Sequence, residues 1–419
     1  MFSKIKHTVG GPAGAASFGR RRMLIPVLFA AVFVCGLVLT GCPSDPEGKS
    51  GSRGTIPDLK REIFVINGLA ETLSIVNPEA VRNPDGEIGA DEYIDNGNSV
   101  SLEKKRIYND ALLVGASPNQ VLHYDGKLYV INSLDNIIDV YDESTFSWEG
   151  GIDLGTGSNP WMMVRKEGSS KGYVTNFTAG DVAVVDLDSY EVLERIDAGQ
   201  GPEGLAYVND RVFVCNTNYS QEFPGFGRGT VTVIDTETDT VEKTVDIEDA
   251  GYAEGEGSNP QSAVAFGAPI NEVHIICTGN NGGDDANDGE IVVIDASSGG
   301  NFEIKDRVWI GGSPIYSAGS VDEVREIVYL SGVGGLQAYE YGGGSIAVRN
   351  DSNDYIIAGD DPAFDFFSGT VYDEENDLIF VTLFTDDKVI ALDGDPASYE
   401  TLAEFTAGDG VQSPVLVSE

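Results

Sequence analysis

The stretch NPWMMVRKEGSSKGYVTNFTAGDVAVVDLDSYEVLERIDAG, residues 159–199, contains four short segments rich in β-branched and aromatic residues, which favour strands. The third segment, Val182–Asp186, is apolar at nearly every position, as is typical of a strand covered on both faces. Its terminal aspartate can bond the backbone of the next turn and so start a hairpin to a fourth strand. The stretch therefore predicts one four-stranded antiparallel sheet.

The same pattern recurs along the chain, at 117–155 and again at 201–247 with an insertion. Each unit begins at a proline, and seven such prolines follow one another at intervals of 42, 42, 58, 54, 48 and 52 residues: Pro118, Pro160, Pro202, Pro260, Pro314, Pro362 and Pro414. An interval of 42 residues suits four strands plus turns, the size of a β-propeller blade. The longer intervals then hold insertions.

The two ends of the chain supply a seventh unit. Residues 62–67, 72–77 and 110–114 have the pattern of second, third and fourth strands, and the missing first strand is 414–418. Pairing the tail with the head removes an open sheet edge. We therefore predict an all-β fold for residues 60–419, a seven-bladed β-propeller of four-stranded antiparallel blades closed by the C-terminal strand. The alternative is an open ring of six blades.

Three recurring elements resemble the YVTN family of β-propeller repeats. GYVTN stands verbatim at 172–176, and the patterns Y-V-x-N, V-x-V-I-D and G-x-x-P recur over residues 60–419. The resemblance implies the propeller fold and says little about function. The fifth and sixth units depart from it, with Thr278 and Gly332 in place of the asparagine and an irregular stretch at 334–348.

Residues 1–41 have the pattern of a signal peptide, with a basic start and an uncharged apolar run at 23–39. The run ends in Leu39, Thr40, Gly41 and Cys42, which resemble a bacterial lipobox. The resemblance implies acylation of Cys42, with palmitate or a similar chain, and residues 42–59 then form a flexible tether. An uncleaved membrane anchor is the alternative. Pro43 after the cysteine favours the outer membrane, so we expect a cell-envelope lipoprotein facing the periplasm or the exterior.

The chain is strongly acidic, with 26 Lys and Arg against 68 Asp and Glu. The first 42 residues hold five of the basic residues and no acidic ones, so the remainder carries a formal charge of −47. Such a surface repels nucleic acids and anionic lipid headgroups. We expect contact with the membrane through the lipid anchor only, a protein, glycan or small-molecule partner, and a monomer.

Three insertions fall on one face of the predicted ring: 216–229, 248–259 and 278–290. Long loops on a rigid scaffold often carry binding, so we expect the ligand or partner here; the alternative is variable surface loops. The insertions offer two kinds of side chain. The aromatic candidates are Tyr219, Phe223, Phe226 and Tyr252, and the acidic ones are Asp284, Asp285 and Asp288.

Calcium is a further candidate, because two segments are rich in oxygen ligands. One is 284–290, and the other is 81–92, where Asn83, Asp85 and Glu92 occupy positions three, five and twelve of an EF-hand-like loop. The second segment has Val81 at position one, and either segment reads equally as a polar insertion. We expect no other cofactor.

Sequence motifs of catalysis are absent: there is no P-loop, CxxC pair or G-x-S-x-G elbow. His123 and His274 lie in predicted strands, and we expect each to be a core or lumen residue. We expect Cys215 and Cys277 to be two separate buried thiols. A binding or scaffold module, not an enzyme, is the favoured function. The alternative is a hydrolase or lactonase that uses carboxylates at the central funnel, such as Glu203 and Asp361.

Overall fold

The computed structural model describes residues 59–82, 107–219, 227–247, 258–279, 289–315, 320–342 and 344–418. Within these ranges the chain is almost entirely β, and its strands form seven antiparallel sheets arranged in a ring. Helical structure in the same ranges amounts to one turn, α1 (Glu79–Arg82), and a 3-10 turn at Phe384–Asp386.

Each sheet is one blade, and the blades are numbered 1 to 7 in the order in which the chain enters them. The strands are β1 (Arg61–Asn67), β2 (Thr72–Val76), β3 (Ile107–Leu113) and β30 (Val411–Ser418) in blade 1; β4 (Pro118–Tyr124), β5 (Lys127–Asn132), β6 (Ile137–Asp142) and β7 (Trp148–Asp153) in blade 2; β8 (Pro160–Arg165), β9 (Lys171–Asn176), β10 (Asp181–Asp186) and β11 (Glu191–Asp197) in blade 3; β12 (Pro202–Val208), β13 (Arg211–Asn216), β14 (Thr230–Asp235) and β15 (Thr240–Asp246) in blade 4; β16 (Pro260–Phe266), β17 (Glu272–Cys277), β18 (Glu290–Asp295) and β19 (Ile304–Trp309) in blade 5; β20 (Ser313–Ile315), β21 (Val321–Asp322), β22 (Ile327–Val333), β23 (Gly335–Glu340), β24 (Ala347–Asn350) and β25 (Ile357–Ala358) in blade 6; and β26 (Phe367–Asp373), β27 (Leu378–Leu383), β28 (Lys388–Asp393) and β29 (Thr401–Thr406) in blade 7.

The C-terminal strand closes the ring, as predicted. β30 pairs antiparallel with β1, with Phe64 opposite Val415 and Glu62 opposite Val417. It is the innermost strand of blade 1, and it also contacts β26 of blade 7 and β4 of blade 2. The alternative of an open six-bladed ring is therefore wrong.

The recurring prolines mark the innermost strands, with one exception. Pro118, Pro160, Pro202 and Pro260 each begin a strand, a position where the missing N–H costs no ladder hydrogen bond. The prediction is wrong for Pro362, which lies in a turn five residues before β26. In blade 7, Phe367 takes the place of the proline, because it pairs with Leu383 as Pro160 pairs with Asn176.

The repeat asparagine is buried and fixes the loop between the second and third strands. The Asn132 side chain donates to Asp139 at 2.8 Å, and that of Asn176 donates to Asp181 at 2.6 Å. The glycine in the connector before the innermost strand packs on this amide. In the connector from β3 to β4, a Cβ on Gly115 would lie only 2.7 Å from Cγ of Asn132. The glycine and the asparagine of the repeat are thus parts of one contact.

The recurring aspartates have the predicted turn role. Asp186 Oδ1 accepts from the N–H groups of Asp188 and Ser189 at 2.9 and 2.8 Å, and Asp235 does the same one blade later. The backbone bonds of the turn lower the pKa of the Asp186 carboxyl.

Blade 6 departs from the others where the repeat pattern is weakest. Its innermost strand is broken into β20 and β21, both paired with β22, and its outermost strand is broken into β24 and β25, both paired with β23. The blade still has four strand positions, and its third strand, β23, lies within the irregular stretch 334–348.

The apolar core of the described chain lies between the blades. Its buried side chains form seven clusters, one at each junction of neighbouring blades. Cys215 and Cys277 are buried free thiols in the cluster between blades 4 and 5, as predicted.

Candidate functional site

A cavity of about 470 Å³ opens at the junction of blades 3 and 4. Its walls come from the β9–β10 loop, the connector from β11 to β12, and Tyr219 in the insertion after β13. The lining residues are Phe177, Thr178, Ala179, Gly180, Asp197, Gly199, Gln200, Gly201 and Tyr219. The connector and the two loops therefore share one face of the ring, as the strand order predicted.

Aromatic rings form a row beside and within this cavity. The ring centroids of Phe177 and Tyr219 lie 5.9 Å apart, and those of Trp161 and Phe177 lie 6.1 Å apart, with interplanar angles of 36° and 41°. The row runs from the innermost strand of blade 3 to the insertion of blade 4. Trp161 and Tyr219 are partly exposed and supply contact area with few rotatable bonds, whereas Phe177 is only 4% exposed.

The backbone of the connector packs closely against the base of the insertion. Gly201 has φ +61°, and a Cβ there would lie 2.7 Å from Thr217 Oγ1 and 3.3 Å from the Phe177 ring. The Thr217 hydroxyl donates to the Gly201 carbonyl at 3.0 Å. The Gln200 side chain donates to the Tyr219 carbonyl at 2.5 Å, which ties the base of the insertion to the connector.

The charge at the cavity is negative. Asp197 is exposed at its rim, and no Lys, Arg or His is among the described residues that line it. The nearby Arg195 points to other partners, because its guanidinium is paired with both oxygens of Asp181 at 3.0 Å and also bonds the Leu154 carbonyl. The site thus offers no described cation to an anionic ligand.

Glu203 is buried beside Thr217, the residue that bonds Gly201 of the cavity lining. The side chain, on the innermost strand of blade 4, is 3% exposed. Burial raises the pKa of its carboxyl to about 8, although a hydrogen bond with Thr217 opposes the shift. At neutral pH the protonated carboxyl can donate to Thr217, whose own proton goes to Gly201.

The two carboxylates considered for catalysis are not brought together. Asp361 is exposed in a turn before β26 of blade 7, where its N–H donates to Asp365 Oδ2 at 3.0 Å, whereas Glu203 is buried in blade 4. The structure therefore gives no support for these two carboxylates acting together. Within the described ranges, no group of three or more His, Cys, Asp and Glu is arranged to hold a metal ion.

Of the predicted binding residues, Tyr219 is described and lines the cavity. The others lie outside the described residues: Phe223, Phe226, Tyr252, Asp284, Asp285, Asp288, Asn83, Asp85, Glu92, Leu39, Thr40, Gly41 and Cys42. Trp161, Phe177 and Asp197 were not among the residues predicted from the sequence. The sequence could have indicated two of these. Trp161 directly follows a recurring proline, Phe177 directly follows the repeat asparagine, and both positions lie at the same face of the ring.

His274 is a core residue, as predicted. It is fully buried, its ring lies 4.8 Å from that of Phe266, and Nδ1 lies 2.9 Å from the Tyr339 hydroxyl. Burial lowers its pKa although Glu272 opposes the shift.

No helix in the described part of the chain has the length and apolar character needed to cross a bilayer.

Comparison with known proteins supports the fold. No protein-family model matches the chain, and no curated protein matches it. A putative 6-phosphogluconolactonase from Bacteroides uniformis is similar in structure, with a TM-score of 0.58 and 10% identity over 85% of this chain and 100% of that one. Kuenenia stuttgartiensis hydrazine synthase is also similar, with a TM-score of 0.52 and 15% identity over 70% of this chain and 87% of that one. At these identities the likeness is one of fold alone.

Proposed function

We propose that the protein is an extracytoplasmic, lipid-anchored β-propeller whose function is to bind a ligand or partner at the junction of blades 3 and 4. The observation that carries the proposal is the open cavity there, whose walls hold Phe177 and Tyr219. Its volume lies within the range of small-molecule sites. The rest of the ring acts as a rigid scaffold for this face.

The cellular location rests on the N-terminal sequence. The basic segment, the apolar run and the lipobox resemblance at Cys42 are those of an exported lipoprotein. Both buried cysteines of the propeller are free thiols, so export does not require a disulfide in the described fold.

The alternative is a hydrolase or lactonase that uses carboxylates at the central funnel. The cavity at the junction of blades 3 and 4 lacks the groups that a phosphorylated substrate would need there. A phosphorylated sugar acid carries negative charge that needs Lys, Arg or a metal ion as partner. The cavity presents Asp197 instead, and its described lining has no basic side chain.

The proposal is tested by equilibrium dialysis of the purified, detergent-solubilised protein against a small-molecule extract of the cell envelope, read by mass spectrometry. We expect at least one compound to be enriched with the wild type and lost with Tyr219→Ala. Trp309→Ala is the matched control, because Trp309 is another exposed ring, half exposed at the end of β19. Enrichment of no compound, or equal loss in both variants, would argue against a site at this junction.

A further inference from the structure

We propose that the cavity at the junction of blades 3 and 4 binds an organic cation of the alkylammonium class. The inference rests on the proposed function for the location of the site and adds the chemistry of its ligand. Three features of the cavity carry it: its rings, its remaining hydrogen-bonding groups and its charge.

The partly exposed ring of Tyr219 supplies the apolar and π-electron surface that an alkylammonium group needs. Phe177 also lines the cavity but is only 4% exposed, because it packs against the rings of Tyr219 and Trp161. An ammonium centre within about 6 Å of such ring faces gains about 0.5–2 kcal/mol, more as water is excluded. The methyl groups of a quaternary ammonium also bury apolar area against the same rings.

The backbone donors of the β9–β10 loop are already used within the protein. The N–H groups of Phe177, Thr178 and Gly180 donate to the carbonyls of Asn159, Ser158 and Asn176 at 3.0, 3.2 and 2.9 Å. The Gln200 amide donates to the Tyr219 carbonyl. These N–H groups are therefore not free to bind a sugar phosphate or a polyol, which need donors, whereas an alkylammonium ion needs acceptors and π faces.

The charge of the site and of the chain favours a cation at short and long range. Asp197 carries the one carboxylate among the described lining residues, and that lining has no basic side chain. The formal charge of the chain, −42 at pH 7, adds a long-range field that attracts cations and weakens with salt.

The test is calorimetric titration of the full-length protein in detergent with choline and, as an uncharged isostere, 3,3-dimethylbutan-1-ol. We expect choline to bind at least about tenfold more tightly than the alcohol, since the cation–π gain is of the order of one factor of ten. Raising the salt concentration should weaken choline alone. A second arm uses a lysine-containing peptide: its binding in place of choline would show that the same cation site takes a side chain of a partner protein.

Two pairs of variants locate the effect. Tyr219→Ala should weaken choline binding about tenfold, and Trp309→Ala should leave it unchanged. Asp197→Asn should weaken choline binding several-fold, whereas Asp153→Asn should not. Asp153 ends β7 as Asp197 ends β11, so the control variant removes the same charge at the equivalent position of the neighbouring blade.

Equal binding of choline and the alcohol would overturn the cation assignment, and so would equal effects of the two aspartate variants. Binding of 6-phosphogluconate or of a neutral oligosaccharide instead, lost with Tyr219→Ala, would overturn it as well but leave the proposed binding function standing. If neither choline nor the peptide binds, the cation inference fails, and the envelope-extract experiment decides the binding function separately.

Discussion

Glu203 shows how strongly one buried group can alter the pH dependence of stability. Its folded-state pKa of about 8 lies above the usual value of 4.5, so the folded chain holds a proton that the unfolded chain has lost above pH 5. Stability therefore falls as the pH rises from about 4.5 to 8. Glu203→Gln keeps a donor for Thr217 and removes this loss. We expect the variant to unfold at a higher temperature than the wild type at pH 9 and at the same temperature at pH 4.5, measured by circular dichroism.

The control for this prediction is Glu272→Gln, where the sign is opposite. The hydrogen bond from His274 lowers the pKa of Glu272 to about 2, although burial opposes the shift. Ionised Glu272 therefore stabilises the fold above its unfolded pKa, and this contribution is lost as the pH falls towards 2. Glu272→Gln should destabilise at pH 7 and less so at pH 3. A melting curve for Glu203→Gln with no pH-dependent difference from wild type would contradict the assignment of a neutral buried carboxyl.

The repeat asparagine is the feature that links a sequence motif to an element of the fold. Asn132 is fully buried at the end of β5, and its side chain donates to the equally buried Asp139 of β6. Asn132→Ala removes a donor from a buried carboxylate, and we expect the free energy of unfolding to fall by about 1–3 kcal/mol. Urea denaturation followed by tryptophan fluorescence measures the change. Asn301→Ala, at an exposed asparagine, should change it by less than about 0.5 kcal/mol, and equal changes would show that the amide contact is not what the motif preserves.

Sequence periodicity predicted the strands because each blade repeats the same local chemistry. The proline, the asparagine and the turn aspartate each have a contact that recurs from blade to blade, so one well-formed unit identifies the others. Pro362 was misassigned because a proline in a turn looks the same in sequence as one that begins a strand. Phe177 and Trp161 were missed because the contact between them spans β8 and the β9–β10 loop, and the position of Glu203 behind Thr217 depends on packing between strands that no local pattern records.

At the scale of the whole molecule, stability depends on the junction where the last blade meets the first. Arg61 of β1 bonds Asp373 at the end of β26 at 2.5 Å and Glu375 in the following turn at 2.7 Å. The Asp373 side chain is fully buried and that of Arg61 is 12% exposed. The pair stands beside the apolar cluster formed by Ile63, Val65 and residues of β26 to β30. Both charges of this pair, one in blade 1 and one in blade 7, are thus largely shielded from water.

Removing Arg61 should therefore lower the free energy of unfolding by more than the removal of an ion pair at the surface does. Breaking a buried pair leaves a buried charge without one of its partners, and we expect Arg61→Ala to lower the free energy of unfolding by about 2–4 kcal/mol in guanidinium denaturation. Hydrogen exchange should quicken first in β1 and β30, since their pairing holds the two chain ends together. Arg228→Ala is the matched control, because the Arg228–Asp246 pair is more than half exposed on both sides and such pairs contribute about 0–1 kcal/mol. If the two variants lose the same stability, or if exchange in Arg61→Ala rises evenly over all seven blades, the closure at blade 1 is not the place where the ring opens.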